Sequence, residues 1–119
     1  MLKSFKQFNE SLGSPENEEI SNVEYQSLLS KHIQMSNTDV DKIRMELEGY
    51  EFDVEESFSG TEKRHMIRAK YNNWSRMAIT KIEDDYFLLN LVKENKKFKC
   101  DTIEGLLGII DVYIHHIHY

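Results

Sequence analysis

Apolar positions along this chain recur first at a period of 3.6, then at 2, then at 3.6 again. Within residues 2–12, Phe5, Phe8 and Leu12 fall at i, i+3 and i+7 and predict a short amphipathic helix. Gly13-Ser14-Pro15 ends it, ahead of a polar Glu16–Glu19 stretch. Ser21 with Glu24 three residues on forms a capping box, and Tyr25, Leu28, Leu29, His32 and Ile33 share a stripe, so a helix is expected over 22–34. Ser36 restarts the chain into a helix carrying Val40, Ile43 and Leu47, with Gly49 as its stop.

From residue 50 the alternation is Tyr50, Phe52, Val54 against Glu51, Asp53, Glu55, which predicts a half-buried strand over 50–57. Further strands are expected at 63–71, 75–82, 86–92 and 97–100, separated by short polar turns. Asp101 is expected to cap a final helix whose stripe runs Ile103, Leu106, Leu107, Ile110, Ile114 and Ile117, with Gly105 and Gly108 marking a close approach. Helices, then strands, then a helix predict an α+β fold: an antiparallel meander of four to five strands, with N-terminal helices and a C-terminal helix packed on it. Residues 1–20 read as a mobile leader and linker, and 21–119 as one domain.

A two-residue turn at Ser59-Gly60 would set Glu51 opposite Arg68 and Glu55 opposite Arg64. The strand at 86–92 is apolar on both sides, with Phe87, Leu89 and Leu91 on one and Tyr86, Leu88 and Val92 on the other. One face falls to the final helix. The other is left to the helices at 22–48 or to a second copy. Because Ile109, Val112 and Tyr113 add apolar surface beside the main helix stripe, a homodimer is the expectation.

Charge sharpens this picture. The net charge is −6, yet residues 13–62 hold 13 acids against 3 bases, while residues 63–81 hold 6 bases and no acid. Arg64, Arg68 and Lys70 share a strand face, with Trp74 nearby. Such interleaving suits nucleic acid, but the expected hairpin pairs those cations with its own carboxylates, so nucleic acid is not the expected partner. The partner-binding residues expected are Arg64, Arg68, Lys70, Trp74, Tyr86, Ile109, Val112 and Tyr113.

Candidate chemistry is thin. Asp111 with His115, His116 and His118 has partial metal-ligand spacing but reads as a polar helix end, so no metal is expected. Cys100, the single cysteine, reads as a core thiol, and Asp84-Asp85 as a turn pair. There is no phosphate loop or nucleophile elbow. Neither enzymatic activity nor a cofactor is expected. No apolar run approaches the roughly 20 residues of a membrane helix, and no apolar stretch follows Lys3 as a secretory signal requires.

The opening MLKSFKQFNESL resembles the capsid-targeting leader of T-even phage internal proteins. Phe8-Asn9-Glu10 stands where that family carries an apolar-x-Glu cleavage motif, with Phe8 in place of the usual Leu or Ile, and Glu10–Ser11 as the corresponding bond. FKCDTIEGLLGII is similar to the closing strand and helix of small phage proteins. The resemblance implies an accessory protein acting in the host bacterial cytoplasm, or packaged in the virion, that binds and disables a host protein such as a restriction or defence component. A minor virion component is the alternative it leaves, beside nucleic-acid binding by the basic hairpin 63–81.

Overall fold

The computed structural model describes residues 17–59 and 64–118. The helix expected within 2–12, the Gly60 turn position and the Ile117 and His118 side chains lie outside what is described. The chain runs β1 (Asn17–Ile20), α1 (Asn22–Leu29), β2 (His32–Ile33), α2 (Asn37–Gly49), β3 (Asp53–Ser59), β4 (Arg64–Tyr71), β5 (Trp74–Ile82), β6 (Tyr86–Leu91), β7 (Lys96–Cys100) and α3 (Ile103–His118), with one 3₁₀ turn at Glu83–Asp85. The fold is α+β around one antiparallel sheet in the order β1-β7-β6-β5-β4-β3, with β2 pairing β5 off that path.

Seven strands stand where four to five were expected, and both extra ones are short. Asn17–Ile20, expected in the linker, pairs with β7 along Asn17↔Cys100 to Ile20↔Lys97. Its one buried side chain is Ile20, so backbone pairing rather than an apolar pattern specifies it. The helix expected over 22–34 stops at Leu29. β4 pairs with β5 only as far as Ile67↔Ile79, and His32–Ile33 takes the place beyond it, opposite Ile82 and Lys81.

Caps explain the helix starts. Ser21 accepts from the Glu24 N–H and Ser36 from the Asp39 N–H. For α3 the cap is Thr102, not Asp101: its Oγ1 accepts from the Gly105 N–H at 3.0 Å. α2 ends through Glu51, which takes the left-handed conformation expected of Gly49 (φ 68°) and delays β3 to residue 53. The hairpin register moves with it. Glu55 faces Arg68, and Arg64 faces Ser59, four residues away from the expected pairing. A shift of four keeps every side chain on its face, so the carboxylates still meet the cations, and Glu55 binds Lys70 at 3.2 Å.

The main core lies on one face of the sheet. There Ile67, Met77, Ile79, Phe87, Leu89, Leu91 and Phe98 pack against Val40, Ile43 and Leu47 of α2 and against Leu106, Ile109, Ile110, Tyr113 and Ile114 of α3. On the other face α1 closes a smaller cluster of Ile20, Tyr25, Leu29, Ile82 and Leu88. Ile109 and Tyr113, expected at a partner surface, are 1% and 0% exposed. They are core side chains, because α3 packs against β6, β7 and α2 together and needs a broad apolar face to do so. α1 covers Leu88 and Tyr86 within one chain, whereas Val92, on the same side of the expected strand, is 41% exposed.

Buried polar groups tie the layers together. His65 is 2% exposed. The Met35 N–H donates to its Nδ1 at 3.0 Å, so the proton sits on Nε2, which meets Glu56 at 2.7 Å. Lys81 reaches Asp39 on α2 at 2.8 Å, and that hydrogen bond raises its pKa. Tyr50 donates to Asp111, joining the end of α2 to α3.

Replacing His65 with Ala should cost about 2–3 kcal/mol, since it leaves a cavity and an unpaired Met35 N–H. Glu56→Ala should cost less, because water reaches that carboxylate; urea titration ranks the two. Gly108 was expected at a close approach, yet nothing lies within 4 Å of where its Cβ would stand. Gly108→Ala should therefore stabilise by about 0.5–1 kcal/mol, read in the same titration.

Candidate functional site

Two-residue turns with both central residues at positive φ suit the twist of a β-hairpin, and Asn adopts that conformation readily. Asn72 (φ 52°) and Asn73 (φ 68°) make such a turn between β4 and β5, closed by the pair Tyr71↔Trp74. Close to it the register shifts between Ala69 and Lys70, which pair with Met77 and Ser75. Arg76 is therefore the extra residue of a bulge, a feature that re-aims a side chain. Its carbonyl accepts from the Val92 N–H at 3.0 Å, which ties this hairpin to the β6–β7 turn.

Between the two turns lies a cleft of about 490 Å³ lined by Tyr71, Asn72, Trp74, Ser75, Arg76, Val92 and Lys93. Trp74 is 74% exposed and Val92 41% exposed. Tyr71, by contrast, packs against Phe52 with ring centroids 5.4 Å apart. Arg76 lies beside the Tyr113 hydroxyl, which donates to Glu94 at 2.8 Å. Burial first, then the Glu94 contact, raise that hydroxyl's pKa, and the Arg76 charge opposes them.

Other expected residues fall elsewhere. Arg64, Arg68 and Lys70 share the sheet face opposite the main core, the face on which α1 lies, and Tyr25 of α1 is close enough to Arg64 and Arg68 to feel their charge. Tyr86 lies on that face too, under Lys99, whose Nζ is 4.0 Å from the ring centroid. Val112 is half-buried against the main core. The structure thus joins Arg64, Arg68, Lys70 and Tyr86 on one face, sets Trp74 apart at the hairpin tip, and removes Ile109 and Tyr113 from the surface. Sequence reasoning missed Arg76, Val92 and Lys93; the signal for Arg76 was its place beside an Asn-Asn turn.

The remaining candidates are occupied structurally. His115 Nδ1 donates to the Asp111 carbonyl at 2.8 Å, and the Asp111 carboxylate accepts from Tyr50. That contact pushes the Tyr50 hydroxyl up to about 12. No cluster of three or more His, Cys, Asp or Glu side chains suited to a metal ion is present among the described residues. Asp84 and Asp85 lie exposed in the 3₁₀ turn, where Asp85 meets Lys81 at 3.5 Å. No helix among the described residues is long and apolar enough to cross a membrane. No family model, curated protein or solved structure matches the chain.

Cys100 is fully buried, and burial, aided by the Asp101 charge, pushes its thiol up to about 12. The native protein should resist iodoacetamide at about pH 8 while the urea-unfolded chain is alkylated, as intact mass will show. A thiol raised on folding favours the native state fully below its unfolded value of about 8.5, and this contribution is lost as pH climbs toward the folded value of about 12.

Proposed function

We propose that this protein is a non-catalytic module that binds another protein through the hairpin-tip cleft. The observation that carries the reading is Trp74, a large aromatic set in water beside Val92 over a concave surface. Trp is among the side chains that dominate binding energy at protein interfaces, and exposed apolar clusters of this kind mark such sites. The thiol of Cys100 is buried and protonated and the paired carboxylates sit in an open turn, which supports a binding role over catalysis.

The partner class follows from the N-terminal resemblance: a protein of the bacterial host, a restriction or defence component, which the module disables by occupying it. A nucleic-acid role is the second reading. It is favoured by Arg64 and Arg68, which share a sheet face and form no ion pair among the described residues. The opposing observation is the overall charge of −6.

Affinity capture from infected-host lysate separates these readings. The tagged native chain should retain a protein that Trp74→Ala fails to retain, with the variant's melting temperature within about 2 °C of the native value. Arg64→Ala/Arg68→Ala should retain it. Equal capture by Trp74→Ala overturns the reading, and loss of capture with the arginine pair moves the interface to the sheet face.

A further inference from the structure

We propose that the hairpin-tip cleft recognises an acidic peptide segment that carries an apolar side chain next to its carboxylate. This rests on the reading of the chain as a protein-binding module. The lining supplies two aromatic rings, a valine and two cations, and no carboxylate. Lys93 stands exposed on the β6–β7 turn and has no ion-pair partner among the described residues. Arg76 arrives through the bulge, half-buried, with its guanidinium beside the Tyr113 hydroxyl. A guanidinium carries five donors, more than one hydroxyl can use, and a carboxylate is the acceptor whose geometry matches its fork. An anion held between Arg76 and Lys93 leaves the neighbouring ligand side chain beside Trp74 and Val92, the two exposed apolar surfaces of the cleft. The site thus pairs an apolar anchor with a charge contact.

A nucleic acid would present the same negative charge, but the cleft suits it less. Strand-tracking proteins line a continuous groove with cations beneath stacked bases. Here two cations flank one cleft, Arg64 stands at the far end of β4, and Lys70 is already held by Glu55. The chain's charge of −6 repels an extended polyphosphate, whereas one or two carboxylates feel mainly the local pair.

Trp74 is the sole tryptophan, so its emission reports the cleft directly. The probes are an acetylated, amidated pentapeptide Asp-Leu-Glu-Phe-Asp, its uncharged counterpart Asn-Leu-Gln-Phe-Asn, and an oligo-thymidine of eight nucleotides. The acidic peptide should shift the emission to the blue and saturate, and the uncharged one should bind about tenfold more weakly. Lys93→Gln, on an exposed turn, should weaken the acidic peptide about three- to tenfold and leave the uncharged peptide and the melting temperature unchanged. Equal affinity for the two peptides overturns the inference and leaves the module reading intact, as does failure of both peptides while Trp74→Ala still loses a captured protein. Tighter binding of the oligonucleotide than of the acidic peptide, falling steeply with salt, overturns both.

Discussion

Strand β6 cannot meet water on either side. Leu89 and Leu88 point in opposite directions and both are fully buried, each contributing about 1.5–3 kcal/mol by leaving water. This strand therefore requires cover on both faces, and the distribution of helices follows from it. α2 and α3 share the wider face, where Phe87, Leu89 and Leu91 sit. α1 takes the other side, over Leu88 and Ile82. At about 1.5 Å per residue an eight-residue helix is about 12 Å long, enough to cross two or three strands and no more. The part of that face over β3 and β4 is then mostly polar: Arg64, Arg68 and Lys70 of β4 stand there with Asp53, Glu55 and Ser57 of β3, around the buried Met66.

The uneven charge along the chain is resolved by the fold. Acids from the N-terminal half come back onto cations of the sheet: Asp39 to Lys81, Glu55 to Lys70, Glu19 to Lys96. The exposed pairs contribute at most about 1 kcal/mol each, so their weight is in fixing which segments lie together. Lys81–Asp39 differs, being largely shielded from water, and it anchors the start of α2 to the middle of the sheet. Among the described cations outside these pairs are Arg64 and Arg68 on the sheet face and Lys93 at the tip.

Periodicity made most of this architecture legible. β4, β5, β6 and β7 begin and end within a residue of where alternation and turn chemistry set them, because each buries apolar side chains at every second position. The failures share a cause. Ile20 and Ile33 each contribute one apolar side chain to a strand too short to show a period, so β1 and β2 depend on backbone partners remote in sequence. The hairpin register depended on a turn length that Ser59-Gly60 overstated in tightness, and Glu51 in the left-handed conformation delayed the strand. At the candidate site, Trp74 and the β4 cations were legible from composition, while Arg76, Val92 and Lys93 were not, since only pairing of distant strands brings them together. Ile109 and Tyr113 were misplaced because an amphipathic helix pattern gives the direction of its apolar face but not the width of the sheet it must cover.

Tip and core obey different demands. Tyr71 is one residue outside the Asn72-Asn73 turn and is drawn inward against Phe52, whereas Trp74, its cross-strand partner, is left in water. Folding gains little from Trp74, and a polar residue would serve the β5 start as well. The surrounding backbone, however, is held firmly: a closed two-residue turn on one side, a bulge that re-aims Arg76 on the other, and the Val92 N–H bond to the Arg76 carbonyl across to the next hairpin. A rigid frame carrying an exposed aromatic lowers the entropy that a partner's binding must overcome, because the anchor is already in place. The combination of a fixed backbone, an aromatic that the core does not use and a cation without an ion-pair partner among the described residues supports the proposed recognition at the hairpin tip, where the sheet ends and packing no longer dictates the side chain.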